Sequence, residues 1–387
     1  MRRHHLGRWG VVVATTATLI AGVAGPAVAA GPDRRLQAAV TDLHELGITG
    51  VQGLTRAGGD TAQARAGVGD LRRGTPVPRD GYFRMGSNTK TFVSVVVLQL
   101  AGEGKLSLDD SVDRWLPGVV TGNGNDGRRI TVRQLLQHTS GIWNYTNDIE
   151  ALGSYEAYLA HRFDHYDARD LVMLAMKHSP EFAPGTAWDY SNTNYVLAGM
   201  IVERVTGRTW AAEVRDRILR PLGLRHTSAP GDRPSVPDPH AHGYQQWAPG
   251  GELTDTTVFN PSVADAAGSL ITTPTDLARF WQALQRGQLL RPREMAQLHQ
   301  TVLAETFQDW IPGARYGLGI MFIPNRCGGY WGHGGDVPGM STANAVSADG
   351  DRVAVLSLTT QLAGEGAASA VQRRTFQLMD DVICGRA

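Results

Sequence analysis

The chain has 387 residues, with 37 basic and 37 acidic side chains and 42% hydrophobic residues. It lacks the basic excess that is typical of nucleic-acid-binding proteins, so we expect no nucleic acid partner. Its length is enough for one large domain or two closely packed ones.

The first 29 residues are predicted to be a secretory signal peptide. Three arginines give a positive start, an apolar run follows at 9–23, and Ala27-Val28-Ala29 supplies the small residues of a cleavage site. The alternative is an N-terminal membrane anchor, which the threonines in the run and the lack of a charged stop disfavour. We therefore expect a secreted, extracellular protein whose mature chain carries no membrane anchor.

The hydrophobic pattern predicts the elements in chain order. Helical spacing predicts a helix at 35–46, and turn-bounded segments at 50–56, 62–67 and 81–85 are predicted strands. The segment 87–101 is apolar on nearly all sides, which predicts a buried helix. Later elements are predicted helices at 131–137, 168–178, 192–205, 210–220 and 367–383, a helix capped by Thr273, a loop at 225–251 and strands between 316 and 358.

This order predicts one α+β domain at 30–387, in which an antiparallel sheet is flanked by helices. Segments of about 30–105 and 255–387 make the α/β part, and about 106–254 forms an inserted all-helical subdomain. The two cysteines, Cys327 and Cys384, are an even count in a chain predicted to be exported, which indicates one disulfide. The alternative is two unrelated buried thiols.

The first candidate for chemistry is Ser87-Asn88-Thr89-Lys90. Residues three apart share a face of a helix, so Lys90 can lie against the Ser87 hydroxyl. Serine needs a base to become a nucleophile, and a lysine in an apolar site has a lowered pKa that makes its neutral form available. Taken alone, the tetrapeptide is equally well explained as a helix cap.

Two further motifs follow in the chain. Tyr190-Ser191-Asn192 opens an apolar helix, where Tyr190 can relay a proton and Asn192 can hold Lys90 or a substrate carbonyl. His333-Gly334-Gly335 lies in a predicted strand, where glycines let a substrate backbone pair with the strand edge. Each motif alone also fits a plainer interpretation, a helix cap for the second and a turn for the third.

The order of these motifs resembles that of the penicillin-recognising serine enzymes. The similarity is greatest to the branch of class C β-lactamases and secreted DD-carboxypeptidases, which has tyrosine in the second motif. It runs over nearly the whole mature chain. Further segments that carry it are 83–92, 99–106, 130–136 and His138-Thr139-Ser140-Gly141.

This resemblance implies a β-lactamase/transpeptidase-like fold and acyl transfer without a metal or cofactor. Ser87 would attack a carbonyl, and Lys90 and Tyr190 would handle its proton. The backbone N–H groups of Ser87 and Asp336 would form an oxyanion hole. His333 would assist the Tyr190 proton network.

The third motif departs from the family pattern. Related carboxypeptidases place hydroxyl side chains at the positions of Gly334 and Asp336, where they hold the substrate's terminal carboxylate with help from an arginine that aligns with Met321. Charged hydrogen bonds are worth about 1.5–3 kcal/mol each, so their loss predicts weak activity on free-acid D-alanyl-D-alanine ends and slow acylation by penicillin.

Glu150 aligns with an aromatic residue that lines the pocket in the family. Candidate substrate-binding residues are therefore Trp143, Glu150, Asn192, Met321, Gly334, Gly335 and Asp336.

The expected function is that of a D-alanyl-D-alanine carboxypeptidase-like D-peptidase of the cell envelope, which acts as a monomer. Its substrates would be small peptides or esters, with peptidoglycan stem peptides as one source. The alternatives are an esterase or D-aminopeptidase on the same scaffold and a class C-type β-lactamase. A non-catalytic binding protein has the least support, because the first two motifs are intact.

Overall fold

A ten-stranded antiparallel sheet takes strands from both ends of the described chain. The computed structural model describes residues 32–385, so the predicted signal peptide at 1–29 lies outside the described residues. The strands are β1 (Gly50–Ala57), β2 (Asp60–Asp70), β3 (Thr75–Pro76), β4 (Phe83–Arg84), β5 (Thr121–Gly122), β6 (Asn125–Asp126), β7 (Tyr244–Gln246), β8 (Leu253–Asp255), β9 (Ile271–Thr272), β10 (Val302–Leu303), β11 (Arg315–Tyr316), β12 (Met321–Ile323), β13 (Tyr330–Gly332), β14 (Gly335–Val337), β15 (Met340–Val346), β16 (Val353–Leu358) and β17 (Thr360–Gln361). The order in the large sheet is β10-β11-β12-β13-β15-β16-β1-β2-β3, with β14 paired to β15.

Helices cover both faces of this sheet, which confirms the predicted α+β class. They are α1 (Pro32–Glu45), α2 (Thr89–Gly102), α3 (Val112–Trp115), α4 (Val132–Gln137), α5 (Tyr155–His161), α6 (Ala168–Ala175), α7 (Thr193–Thr206), α8 (Trp210–Val214), α9 (Arg220–Leu222), α10 (Asp265–Gly268), α11 (Pro274–Gln285), α12 (Pro292–Leu298) and α13 (Glu365–Ile383). The two terminal helices, α1 and α13, bury Leu43 and Met379 against Leu356 on one face of the sheet, and α11 packs on the other face.

Helix α2 is buried because its sequence is apolar on nearly every side. Phe92 stacks on Phe280 of α11 with 3.6 Å between ring centroids. The sequence predicts a helix from Ser87, whereas the structure has a 3₁₀ turn at Gly86–Asn88 and regular helix only from Thr89. The tight turn lets Ser87 leave the helix axis while Lys90 remains in the first helical turn.

The segment 106–254 contains α3 to α9, as expected of a helical insert, but it also contains short strands. The glycine-rich stretch at 122–127 forms part of the β5–β6 hairpin. Within the predicted loop at 225–251, β7 pairs with β8 and, in parallel, with β17 near the end of the chain. A strand of three residues depends on such distant partners, so its local sequence carries little signal.

One disulfide confirms the predicted pairing of the two cysteines. It joins Cys327, after β12, to Cys384 at the end of α13, with a Cα–Cα distance of 5.6 Å. The bond ties the last helix to the strand region 57 residues earlier. No helix within residues 32–385 is long and apolar enough to cross a membrane.

Reduction of this disulfide should lower the free energy of unfolding by about 2–4 kcal/mol, because the cross-link no longer restricts the unfolded chain. Urea unfolding followed by tryptophan fluorescence, with and without a thiol reductant, measures the change. The Cys327→Ser/Cys384→Ser protein is the control, since reductant should not move its midpoint. Equal midpoints for oxidised and reduced wild type would contradict this expectation.

Candidate active site

Lys90 lies at the start of α2 and ties three segments of the chain together. Its Nζ donates to Ser87 Oγ at 2.9 Å, to Asn192 Oδ1 at 2.6 Å and to the Ala267 carbonyl at 2.8 Å. These acceptors lie in the turn before α2, next to α7 and in α10. The amine is therefore held directly against the serine hydroxyl.

None of the three partners of Lys90 is a carboxylate. The side chain is fully buried, and this desolvation lowers its pKa well below 10.5. The ring of Tyr190 lies 4.8 Å from Nζ. A lysine that loses its proton this readily can accept the proton of the Ser87 hydroxyl.

Tyr190 faces Ser87 from the loop that precedes α7. Burial raises the pKa of the Tyr190 phenol well above 10, and the Ser87 hydroxyl opposes this rise only in part. Tyr190 is thus a neutral phenol beside the amine of Lys90. Asn192, two residues on, is fixed by Asn144 Oδ1, which accepts from the Asn192 backbone N–H at 3.1 Å.

His333 is a buried, neutral imidazole. Nδ1 donates to the Gly334 carbonyl at 2.6 Å, which leaves Nε2 to accept from the Tyr316 hydroxyl at 2.9 Å. Burial, with a smaller effect of Lys90, lowers the pKa of His333 to about 3. The sequence predicts that His333 assists Tyr190, but its Nε2 bonds to Tyr316, and the His333 and Tyr190 ring centroids are 6.3 Å apart.

Two glycines bring the backbone nitrogens of Ser87 and Asp336 together. A Cβ atom on Gly335 would lie 2.9 Å from Ser87 N, and one on Gly86, where φ is 52°, would lie 2.7 Å from Asp336 N. Only glycine allows so close an approach of two backbones. The two N–H groups are therefore neighbours beside the serine, as an oxyanion hole requires.

Three groups that position the site were not predicted from the sequence: the Asn344 side chain, the Tyr316 hydroxyl and the Ala267 carbonyl. Asn344 Nδ2 donates to Asn88 Oδ1 at 2.5 Å and to the His333 carbonyl at 2.6 Å, which ties β15 to the turn before α2. An asparagine between alanines in a predicted strand is a signal that could have found it. A backbone carbonyl such as that of Ala267 leaves no signal in the sequence.

A cavity of about 750 Å³ opens at Ser87. Predicted site residues among its walls are Ser87, Tyr190, Asn192, Met321, His333, Gly334, Gly335 and Asp336. Trp143 and Glu150 are not among the described residues that line it. Trp143 stacks on His178 with 4.4 Å between centroids, and the Glu150 side chain is 77% exposed. A 3₁₀ turn at Glu150–Leu152 directs Leu152 to the cavity instead.

The cavity walls carry little charge and many apolar side chains. Within residues 32–385, Asp336 is the only Asp, Glu, Lys or Arg that lines the cavity. Its Oδ1 accepts from Ser341 Oγ at 2.6 Å and from Gln361 Nε2 at 3.3 Å. At the mouth, Phe307, Trp310 and Ile311 come from the loop between β10 and β11, and Trp310 is 72% exposed.

The Asn192→Asp variant should move the acid limb of Ser87 acylation to higher pH by about 1–3 pH units, because a carboxylate beside Lys90 favours the ammonium form. Lys90 must be unprotonated to accept the serine proton, so acylation is lost as pH falls through its pKa. The rate of acylation by p-nitrophenyl acetate as a function of pH measures the limb. His333→Asn is the control, since that imidazole is already neutral. If the acid limb were absent in His333→Asn, the assignment of Lys90 as the base would be contradicted.

Comparison of the sequence and the structure with known proteins identifies the family of this chain. The sequence model of the family described as Beta-lactamase matches residues 33–378. The crystal structure of a D-stereospecific amidohydrolase from Streptomyces sp. is 38% identical in sequence and has a TM-score of 0.83. The match covers 92% of this chain and 100% of that chain.

Two curated relatives match over shorter stretches. Penicillin-binding protein 4* of Bacillus subtilis (strain 168) is 30% identical over 245 residues, which are 60% of this chain and 51% of the relative. Esterase EstB of Burkholderia gladioli is 35% identical over 206 residues, which are 50% of this chain and 51% of the relative. The chain thus spans about half the length of each of these two relatives. Because the family model covers nearly all of the described residues, the chain belongs to the beta-lactamase family of serine hydrolases and has its transpeptidase-like fold.

Proposed function

We propose that the protein hydrolyses D-amino-acid amides and peptides through an acyl-enzyme on Ser87, and that its substrates present no free carboxylate to Asp336. The observation that carries the proposal is the charge of the cavity, whose described walls hold one acid and no Lys or Arg. A substrate carboxylate at this position would meet a like charge without a cationic partner. An amide or ammonium group would meet a hydrogen-bond acceptor.

The residues present account for each proton in this reaction. The Ser87 oxygen bonds to the substrate carbonyl carbon while its proton moves to Lys90, and the N–H groups of Ser87 and Asp336 hold the oxyanion. When the carbon–nitrogen bond breaks, Tyr190 gives its phenolic proton to the departing nitrogen and takes one from Lys90. Water then attacks the acyl-enzyme by the same route and releases the acid.

Other findings support the proposed class of substrate and the proposed secretion of the protein. The Streptomyces sp. structure, which is matched over its whole chain, is named a D-stereospecific amidohydrolase, which supports substrates of D configuration. The proposal includes carboxypeptidase-like action on peptidoglycan stem peptides when the C-terminal carboxylate of the peptide is amidated. The Cys327–Cys384 disulfide supports secretion, since disulfides persist mainly outside the cytoplasm.

An esterase is the second candidate. EstB is 35% identical over half of this chain, and the apolar walls of the cavity suit an ester without charge. The same acyl-enzyme serves both reactions, so the distinction lies in the substrate. Turnover of short acyl esters that lack a D-amino acid, at rates above those of D-amides, would favour the esterase.

A peptide that ends in D-alanyl-D-alaninamide should be cleaved at least about tenfold faster than the same peptide with a free carboxylate. The reason is that the cavity beside Asp336 offers no charged donor to the peptide's carboxylate. Chromatography of the products measures both rates, with Ser87→Ala as the inactive control and the L-enantiomer as the stereochemical control. Asp336→Thr should narrow the difference, since a hydroxyl can donate to the carboxylate. Faster cleavage of the free acid by the wild type would refute the proposal.

Trp310→Ala should raise KM for D-phenylalaninamide by about three- to tenfold and change KM for D-alaninamide little, because a phenyl group has far more apolar area to bury against the indole than a methyl group has. Steady-state kinetics on both amides measures the ratio. Leu303→Ala is the matched control: Leu303 is also an exposed apolar residue, at 43%, and does not line the cavity in the described structure. An equal effect of both variants would argue against contact of Trp310 with substrate.

A further inference from the structure

The cavity that opens at Ser87 continues around the edge of the sheet to its opposite face. One set of lining residues surrounds Ser87 and Tyr190, and a second set lies between the sheet and α13. We call this second space the outer lobe; its walls include Ile48, Tyr330, Ala343, Leu358, Val371 and Met379. The two lobes meet at β14, and their joint volume of about 750 Å³ is that of a small-molecule site.

The outer lobe lies along α13, whose first turn is less buried than its second half. Leu378 and Met379, in the second half of the helix, are buried, whereas residues 364–368 are exposed. Strand β15 directs Asn344 to the catalytic side, so the alternation of the strand directs Ala343 to the outer lobe. The small side chain of Ala343 leaves the floor of the lobe open.

Asp336 lies where the two lobes meet. Both donors to its carboxylate, Ser341 Oγ and Gln361 Nε2, are uncharged, and no Lys or Arg lines the cavity in residues 32–385. The carboxyl group reaches solvent on one side, and the protein atoms around it raise its pKa. A partly enclosed carboxylate with only neutral donors favours a bound ammonium ion.

We infer that the outer lobe binds the apolar chain of an amphipathic primary amine whose ammonium pairs with the Asp336 carboxylate. Apolar walls disfavour a hydrated chain, and the acid at the junction disfavours an anion. Amide hydrolysis releases such an amine, which gains its second proton from solvent. The enzyme then accepts D-amino-acid amides whose leaving amine carries a long apolar chain; this last step rests on the proposed function, and binding of the amine does not.

Calorimetric titration of Ser87→Ala protein with butyl-, hexyl- and octylammonium chloride tests the site without turnover. The dissociation constant should fall about tenfold for every two methylenes added, since each methylene buries apolar area. Octylammonium should bind about tenfold more tightly than 1-octanol, which lacks the ion pair, and octanoate should not bind. Equal affinity for the three chain lengths, or for octanol and octylammonium, would overturn the inference.

Substitutions in the same Ser87→Ala background locate the bound chain. Val371→Trp fills the outer lobe and should abolish the dependence on chain length, and Ala343→Leu, a smaller change, should reduce it. Ala367→Trp, on an exposed position of the same helix, should leave it intact. Asp336→Asn should weaken octylammonium about tenfold and leave octanol unchanged. Chain-length dependence that persists in both Val371→Trp and Ala343→Leu, with native circular dichroism, would place the amine elsewhere.

Kinetics on wild-type protein separates this inference from the proposed function. Octylammonium should inhibit hydrolysis of D-alaninamide at the concentrations that saturate the calorimetric site, and undisturbed turnover at those concentrations would count against a shared cavity. A protein without D-amide activity would refute the proposed function alone, since the calorimetric result does not depend on turnover.

Discussion

The buried amine of Lys90 is the interaction on which the rest of the site depends. Its hydrogen bond to Ser87 is local, whereas those to Asn192 and the Ala267 carbonyl join residues 102 and 177 positions away, so all three form together only in the folded protein. An ammonium that is buried without a carboxylate costs free energy, and the same desolvation lowers the pKa of the lysine. The apolar surroundings of α2 therefore have two effects. They make Lys90 available as a base, and they require its hydrogen-bond partners to be in place in the folded protein.

The groups around Lys90 are neutral, which follows from the same constraint. His333 and His138 are both buried, and burial together with the nearby lysine lowers the pKa of each imidazole. His138 Nδ1 accepts from the Ser191 backbone N–H at 3.2 Å, so its ring supports the second motif as an uncharged acceptor. A cationic side chain beside Lys90 would add the cost of burying a charge, whereas neutral imidazoles and phenols maintain the hydrogen bonds without that cost.

The residues proposed for acyl transfer and those proposed for substrate selection lie on different elements. Ser87, Lys90 and Tyr190 keep the arrangement that acyl transfer needs, which a family shares across many substrates. In the proposed function, substrate selection depends on a few positions at the sheet edge, where Asp336 contributes charge and Gly334 contributes none. Specificity can therefore change by substitution on β14 and β12 without disturbing the hydrogen bonds of Lys90.

The sequence by itself determined the α+β class, the disulfide pairing of Cys327 with Cys384 and the order of the three motifs, because these depend on local periodicity, on cysteine count and on short-range spacing. Ser87 and Lys90 are three residues apart, so their contact could be expected from helix geometry alone. Only the tertiary structure decided that Ala267 and Asn344 complete the site, that His333 bonds to Tyr316, and that Leu152 rather than Glu150 faces the cavity. Those contacts join residues that are distant in the chain or depend on the exact course of a turn, and neither property is encoded in the pattern of neighbouring residues.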